Sequence, residues 1–327
     1  MKRNKNIVIT GGSGFIGSHF IKFFLKEDDE SNIYNIDLLT YAGDNRRLIE
    51  IEDNPRYHFI RCDIRDKEAL NRYLKKIKPE TIFHFASETH VDNSIKMPSN
   101  FITTNIYGTF NILEYIKGEG TRLIHISTDE IYGDRSRDKP LFSEMSNFKP
   151  SSPYSATKAS QEMLIQSYIR TYGIKAIIIR PCNNFGPFQH TEKFIPKCII
   201  NALNNRQIPI YGTGKNTREW IYVEDCCKAI FTIYQKGKDG EIYNVGSGVL
   251  ISNLMLVRRI LRLTSKRAKL IRFIKDRPGH DWLYGVNYDK LKKLGFKPEI
   301  TLIDGLKITI DWYKNNTHLF NKFGTDS

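Results

Sequence analysis

The feature that most constrains the fold is a glycine-rich turn placed between a short apolar segment and an amphipathic stretch. Residues 6–10 are typical of a β-strand, and residues 15–26 show the apolar spacing of a helix. Between them, Gly11 permits a tight turn, Gly14 lets backbone N–H groups approach an anion at the positive helix end, and Gly17 lets helix and strand touch. Strand, turn and helix in this order form the context in which a glycine-rich loop binds a dinucleotide pyrophosphate.

Acidic residues follow the next strands. The second predicted strand, residues 32–38, ends near Asp37, about twenty residues beyond the turn, where a carboxylate can accept hydrogen bonds from ribose hydroxyls. A 2′-phosphate there would be repelled, so the pattern favours NAD over NADP. The alternative is a turn aspartate that caps the next segment. Asp63 and Ile64, after the third strand, are similarly placed to bracket an adenine, although aspartate after a strand is common in turns.

Strand and helix patterns alternate through the first half of the chain. Strands are predicted at residues 6–10, 32–38, 57–61, 81–86, 122–127 and 175–180, and helices at 15–26, 67–77, 97–117 and 153–172. This alternation predicts an α/β fold with a Rossmann-like, doubly wound parallel sheet in residues 1–181. Glycine and proline punctuate the later part, so residues 182–327 are predicted to form mainly a smaller α/β substrate-binding cap, with segments interleaved with the first domain.

Composition narrows the classes of function. Lys and Arg exceed Asp and Glu by fourteen, which would help steer an anionic substrate. The cations are scattered in sequence and no nucleic-acid-binding signature is visible, so we expect neither a nucleic-acid partner nor a membrane partner. The five cysteines have no C-x-x-C spacing, which argues against disulfides and a metal site and suits a cytoplasmic location. The first residues do not resemble a secretion signal.

A catalytic constellation follows the fifth predicted strand. Thr128, Asp129 and Glu130 come directly after it, and Tyr154 and Lys158 have the Y-x-x-x-K spacing that places both on one face of a helix. The lysine charge is expected to lower the tyrosine pKa, and the ammonium to reach the nicotinamide ribose. Y-x-x-x-K occurs often by chance, but behind a glycine-rich loop and alternating strands it indicates alcohol oxidation.

Together these features resemble the extended short-chain dehydrogenase/reductase superfamily, and Thr128-Asp129-Glu130 resembles its dTDP-glucose 4,6-dehydratase family. The resemblance extends from about residue 6 to residue 313. It includes further motifs at residues 39–43 (LTYAG), 84–92 (HFASETHVD), 183–187 (NNFGP), 218–220 (REW) and 276–281 (DRPGHD). Departures occur at Thr89, Asn93, Cys182, Leu283 and residues 246–250, which leaves the reaction type better supported than the substrate.

The resemblance implies a mechanism. Oxidation at C4 of the sugar makes the C5 hydrogen acidic, so that a base can remove it while an acid protonates the departing C6 hydroxyl. By resemblance Glu130 is the base, Asp129 the acid, and Thr128 and Tyr154 handle the C4 oxygen, with Lys158 completing the catalytic set. Two carboxylates in one closed site push their titrations apart, and Asp129 is expected to hold the proton.

The resemblance also implies two binding sets. The predicted NAD-binding residues are Gly11, Gly14, Phe15, Ile16, Gly17, Asp37, Thr40, Asp63, Ile64, Phe85, Ala86, Ser87, Thr104, Tyr154, Lys158 and Asn184. The predicted residues for the sugar-nucleotide substrate are Thr89, Thr128, Asn183, Lys193, Phe194, Pro209, Tyr211, Arg218, Asn253, Arg277 and His280. Arginine and lysine in this set can neutralise a diphosphate and aromatic rings can hold a base, although each cation alone is more often a solvated surface charge.

Several functions remain open. The leading hypothesis is a 4,6-dehydratase of dTDP-glucose. A UDP-glucose 4,6-dehydratase, a sugar-nucleotide 4-epimerase and a non-catalytic NAD-sensing protein are the alternatives. The predicted helices at 97–117 and 153–172 are expected to pair across a two-fold axis in a homodimer, although their apolar stripes could instead pack only on their own sheet.

Overall fold

The computed structural model describes residues 5–276 and 278–319. The strands are β1 (Asn6–Thr10), β2 (Asn32–Asp37), β3 (Tyr57–Arg61), β4 (Thr81–His84), β5 (Arg122–Ile126), β6 (Ala176–Pro181), β7 (Asn183–Phe185), β8 (Ile208–Tyr211), β9 (Thr217–Tyr222), β10 (Ile242–Val245), β11 (Leu250–Ser252) and β12 (Ile271–Ile274). The α-helices are α1 (Phe15–Glu27), α2 (Lys67–Ile77), α3 (Val91–Lys96), α4 (Pro98–Phe101), α5 (Gly108–Ile116), α6 (Pro153–Tyr172), α7 (Phe194–Leu203), α8 (Val223–Lys236), α9 (Asn253–Leu263), α10 (Asp289–Lys292) and α11 (Leu302–Asn315).

Seven strands form one sheet in which every neighbouring pair is parallel. Their order is β10-β6-β5-β4-β1-β2-β3. The chain moves outward in one direction from β1 to β3 and in the other from β4 to β6, so the connections diverge between β1 and β4. Ligands of open parallel sheets bind in the crevice that this divergence leaves at the carboxyl ends of the strands. The predicted doubly wound fold is confirmed.

Helices cover both faces of this sheet. Ile7 and Ile9 of β1 pack in one core with α1 and α8, whereas Val8 packs in a second core with α2, α5 and α6. Successive side chains of a strand point to opposite faces, so this alternation shows that β1 is buried on both sides. Central strands covered in this way are apolar throughout.

The later part of the chain contributes a second, smaller layer. Strands β11, β9 and β7 form a three-stranded sheet and β12 pairs with β8. Together with α7, α9 and α11 these strands enclose a separate apolar core. Strand β10 and helix α8 also lie beyond residue 181, but they join the large sheet and its core.

The largest difference from the predicted elements concerns residues 97–117. Instead of one helix, the chain forms α4, a π-helical stretch at Ile102–Tyr107, and then α5. The π-helical stretch contains Asn105, whose amide exchanges hydrogen bonds of 2.8 and 3.1 Å with the backbone of Glu88 and donates to Thr157 Oγ1 at 2.9 Å. These tertiary hydrogen bonds, which apolar spacing does not encode, account for the irregular turn.

The predicted strand at 81–86 is two residues shorter in the structure, where β4 ends at His84 and Phe85 and Ala86 line the cavity described below. Within the described residues, no helix is both long and apolar enough to cross a membrane.

Candidate active site

One cavity of about 510 Å³ contains most of the predicted site. It lies at the carboxyl ends of the central strands. Its lining includes the whole predicted cofactor set: Gly11, Gly14, Phe15, Ile16, Gly17, Asp37, Thr40, Asp63, Ile64, Phe85, Ala86, Ser87, Thr104, Tyr154, Lys158 and Asn184. Residues from seven separate segments of the chain are therefore brought to one surface.

The glycine-rich turn has no room for side chains. Gly11 has φ +72°, and a Cβ there would lie 2.5 Å from the Ala86 nitrogen; a Cβ on Gly17 would lie 2.4 Å from the Gly11 carbonyl oxygen. Gly14 precedes α1 without a side-chain cap, and the first turn of that helix has no acidic residue. Uncapped N–H groups and the positive end of a 13-residue helix therefore face the cavity, an arrangement that suits a pyrophosphate.

Asp37 connects this turn to the end of β2. Its two carboxylate oxygens accept hydrogen bonds from the backbone N–H groups of Ser13, at 2.9 Å, and Leu39, at 2.7 Å. Burial raises the pKa of Asp37, and the two hydrogen bonds oppose that shift. Asp63, at the end of β3, pairs with Arg65 at 2.7 Å. Burial acts to raise the pKa of Asp63 as well, but the bonds from Arg65 outweigh it and the pKa lies below its ordinary value.

The acidic pair stands where β5 ends. Thr128 caps a short 3₁₀ turn, Asp129–Tyr132, and its hydroxyl accepts from the Glu130 N–H at 3.3 Å. Thr128 and Glu130 line the cavity, whereas Asp129 is buried beside them without lining it, with 2% of its surface exposed. The Thr128 hydroxyl donates to Asp129 Oδ1 at 3.4 Å. Asp129 Oδ2 is buried without a hydrogen-bond partner among the described residues.

The pKa of Asp129 is raised well above its ordinary value. Burial is the largest cause, followed by the charges of Glu130 and Glu219, while Arg218 and the Thr128 hydroxyl oppose the shift. Carboxyl groups that are buried next to other carboxylates keep their proton to higher pH. The shift favours the protonated form of Asp129, in the direction expected from the sequence.

Tyr154 and Lys158 lie on the first turns of α6, which begins with a capping box formed by Ser152 and Ser155. Lys158 Nζ donates to the Ile126 carbonyl oxygen at 2.7 Å. Burial lowers the pKa of Lys158 to about 7, against the opposing charge of Glu162.

The expectation that Lys158 lowers the Tyr154 pKa is wrong for this structure. Burial and the Glu130 charge raise the pKa of the phenol, and the opposing influence is a hydrogen bond with Thr128. The physical reason is that burial favours the uncharged form of Lys158, and that its Nζ donates to the carbonyl oxygen of Ile126 in β5.

The predicted substrate residues fall into separate groups. Thr89, Asn183 and Lys193, like Thr128, line the cavity. Lys193 Nζ donates to the Thr89 carbonyl oxygen at 3.0 Å and to its hydroxyl at 3.3 Å. These contacts join the segment after β4, in the large sheet, to the start of α7, in the smaller layer.

The other predicted substrate residues that the structure describes lie outside that lining. Arg218 is buried, donates to the Asp281 carbonyl at 2.9 Å and stacks 4.2 Å from the Tyr284 ring. The rings of Tyr211 and His280 meet edge to face at 5.9 Å. Three more sit on nearby elements, namely Phe194 at the start of α7, Pro209 in β8 and Asn253 at the start of α9. Arg277 lies outside the described residues.

Arg47 and Glu219 are among the residues near the site that were not predicted. Arg47 lines the cavity and donates to the carbonyl oxygens of Ser13 at 2.8 Å and Ala42 at 2.6 Å. One arginine among fifty cationic residues carries no sequence signal that would single it out. Glu219 is 1% exposed and accepts from three backbone N–H groups, those of Ser247, Gly248 and Val286. Its place inside the REW motif was the available signal.

Comparison with known proteins places this geometry in a family. Residues 8–309 match the family model described as GDP-mannose 4,6 dehydratase. The dTDP-glucose 4,6-dehydratase of Haemophilus influenzae is 42% identical over 95% of this chain and 98% of its own length. The crystal structure of DesIV, the dTDP-glucose 4,6-dehydratase of Streptomyces venezuelae with NAD bound, superposes with a TM-score of 0.93 at 38% identity, covering 97% of this chain and 99% of that chain.

A related enzyme class shares the fold at lower identity. The UDP-glucose 4-epimerase of Thermotoga maritima, determined with UDP-glucose, gives a TM-score of 0.88 at 28% identity, covering 95% of this chain and 99% of that chain. The higher identity to the dehydratases runs over nearly the full chain, and the family resemblance inferred from the motifs is confirmed. The chain belongs to the dTDP-glucose 4,6-dehydratase family.

Proposed function

We propose that this protein is an NAD-dependent dTDP-glucose 4,6-dehydratase, which forms dTDP-4-keto-6-deoxyglucose by C4 oxidation, loss of water across C5 and C6, and hydride return to C6. The observation that carries the proposal is the pair of acids at the end of β5: Glu130 lines the cavity beside Tyr154 and Lys158, and Asp129 is buried next to them with a raised pKa. A dehydratase needs one carboxylate and one carboxylic acid at adjacent carbons.

The residues present suit NAD. The Gly11–Gly17 turn leaves no space for side chains and presents an uncapped helix end, and the buried Asp37 carboxylate is close enough to bond the turn. Asn184 Oδ1 and Ser127 Oγ are buried without a hydrogen-bond partner among the described residues. When bound, NAD supplies the hydride acceptor for C4, the hydride donor for C6 and a positive charge that favours the Tyr154 phenolate.

Each side chain then has a separate task. Tyr154, which lines the cavity together with Thr128, is assigned proton removal from the C4 hydroxyl, with Thr128 orienting that oxygen. Glu130 removes the C5 proton and returns it after elimination. Asp129 donates its proton to the departing C6 oxygen, for which its unpaired Oδ2 is the available atom. Lys158, anchored on Ile126, orients the ribose of the cofactor.

The alternatives use less of this site. A 4-epimerase needs the glycine turn, Tyr154 and Lys158, but it has no step that requires Asp129 and Glu130 together. A non-catalytic NAD-sensing protein would need neither the acids nor Tyr154. A buried acid with a raised pKa is costly to fold, which favours an enzyme that uses it.

The experiment is an incubation of the pure protein with a panel of sugar nucleotides, followed by mass analysis of the products. We expect dTDP-glucose to give the highest kcat/KM and UDP-glucose to react more slowly, because a pocket discriminates one methyl group by only about 1–3 kcal/mol. Purine diphosphate sugars should fail because their base is larger. A product that has not lost water would contradict the dehydratase proposal, whereas a preference for UDP-glucose would replace only the assignment of the base.

We also propose a homodimer formed through α6 and the stretch from α3 to α5. Large apolar side chains are exposed there, with Met97 at 54%, Ile102 at 52%, Tyr107 at 47% and Met163 at 61%. Side chains of this kind are usually covered when they share one face. Light scattering at micromolar concentration should give twice the monomer mass, and Met163→Glu should give the monomer. A monomeric native protein would contradict the proposal.

We propose a cytoplasmic location because of the state of the cysteines. All five are free and buried, as is usual for proteins of a reducing compartment.

A further inference from the structure

A strongly basic surface is formed by two segments of the smaller layer, neither of which contains a residue assigned to catalysis. Residues 193–218 contain five Lys and Arg and residues 253–275 contain eight, and neither segment contains an Asp or Glu. In the sequence these segments are separated by more than thirty residues. The fold brings them together, because β8 pairs with β12 along Ile208–Ile271 to Tyr211–Ile274 and because α7 packs against α9.

The eight cations of residues 253–275 are not neutralised by neighbouring carboxylates among the described residues. Lys266 Nζ donates to Asn205 Oδ1 at 2.8 Å and Arg272 Nη1 donates to Gln207 Oε1 at 3.3 Å, so both bonds end on neutral amides. None of the eight cations in residues 253–275 forms an ion pair with a carboxylate among residues 5–276 and 278–319. The first acid after the segment, Asp276, bonds His280 instead.

The exposed cations of these two segments are accompanied by an exposed aromatic ring. They include Arg206, Arg258, Arg262, Arg267, Lys269 and Arg272. Phe273, which follows Arg272 on β12, is 55% exposed. The apolar side of α9, by contrast, packs in the core, where Leu256, Val257 and Ile260 are fully buried. The helix is therefore amphipathic with its cationic side outward.

We propose that this basic surface docks the enzyme on an anionic phospholipid bilayer. The cations sit on long, exposed side chains. Such a surface matches a fluid layer of headgroups that can rearrange beneath it, and an exposed phenylalanine can enter the interface. Near an anionic membrane each Lys or Arg contributes about 1 kcal/mol, which is about fivefold in partitioning. This proposal of peripheral contact differs from the expectation drawn from the sequence, which included no membrane partner.

The test is co-sedimentation of the full chain with phosphatidylcholine vesicles that contain or lack phosphatidylglycerol. We expect binding only to the anionic vesicles, and weaker binding as salt is raised. The combined substitution Arg258→Glu, Arg262→Glu and Arg272→Glu should reduce partitioning by more than a hundredfold, and Phe273→Ser should reduce it several-fold. Far-UV circular dichroism and the melting temperature report whether these variants fold.

A matched control reverses Lys26, Lys75 and Lys293, three exposed lysines on or beside other elements, which changes net charge by the same amount. The control should keep most of the binding. Equal loss in both triple variants would show that net charge alone drives adsorption and would overturn the proposal. So would tighter binding to a duplex DNA oligonucleotide than to anionic vesicles at the same salt, or no vesicle binding by the native protein.

Discussion

Two buried ionisable sites, one on β6 and one at the end of the neighbouring strand β5, are treated in opposite ways by this fold. Arg180 of β6 and Glu162 of α6 are 1% and 0% exposed, and the guanidinium forms three bonds of 2.6 to 3.0 Å with the carboxylate and one with Tyr132. At the end of β5, Asp129 is equally buried, yet one of its oxygens has no partner among the described residues. The buried charges of Arg180 and Glu162 are paired inside the protein, whereas the acid assigned to catalysis keeps one oxygen available to bond substrate atoms.

The largest expected effect concerns the chemistry of the acid pair. Glu130→Gln should slow water elimination by about 10²- to 10⁴-fold, because proton transfer by a positioned side chain contributes that much. NAD binding should persist and C4 oxidation should remain at least partly possible, since only removal of the C5 proton is affected. Rapid-quench product analysis together with nicotinamide absorbance separates the two steps. Near-normal dehydration by this variant would remove Glu130 from the mechanism.

The second effect concerns the paired charges. Glu162→Gln keeps the shape of the side chain but leaves Arg180 buried and uncompensated, which should destabilise the fold by about 3–5 kcal/mol. Urea unfolding followed by circular dichroism measures this loss. The control is Glu50→Gln, which breaks the exposed Lys22–Glu50 pair of 2.9 Å and should cost less than about 1 kcal/mol. Similar losses in both variants would contradict the distinction between buried and exposed pairs.

The smallest effect has the opposite sign. The raised pKa of Asp129 means that between the unfolded and folded pKa values the native state binds more protons than the unfolded chain, so this group lowers stability as pH rises through that range. Asp129→Asn removes the titration. It should therefore stabilise the protein at neutral pH, with no gain below the unfolded carboxyl pKa.

Melting curves across this pH range check the sign. The matched control is Asp225→Asn, because Asp225 is also buried but accepts hydrogen bonds from the N–H groups of Glu299 at 3.0 Å and Ile300 at 2.9 Å. The same substitution there replaces an acceptor with a donor and should destabilise. If Asp129→Asn were destabilising at neutral pH, its carboxyl would have to be ionised and stabilised in the native state, against the assignment as the acid.

Local pattern was sufficient for much of the fold. The bounds of β1, β3, α2 and α6 follow directly from apolar spacing and from punctuation by glycine, proline and capping residues, since these are properties of adjacent residues. The π-helical turn at Asn105, the end of β4 before Phe85 and the return of β10 to the large sheet were not predictable in this way. Each depends on residues that are distant in sequence. Asn105 bonds Glu88, Phe85 lines the cavity, and β10 pairs with β6.

The sequence by itself determined the parallel sheet, the glycine turn, the family and the identity of the acid pair, because these depend on short-range periodicity and on residue types at short spacing. Only the tertiary structure decided how those residues are charged and which surfaces they share. Burial beside Glu130 and Glu219 raises the Asp129 pKa, burial lowers the Lys158 pKa to about 7, and strand pairing joins two cationic segments that are scattered along the chain. Electrostatic energies depend on distance and dielectric environment, and neither exists before the chain has folded.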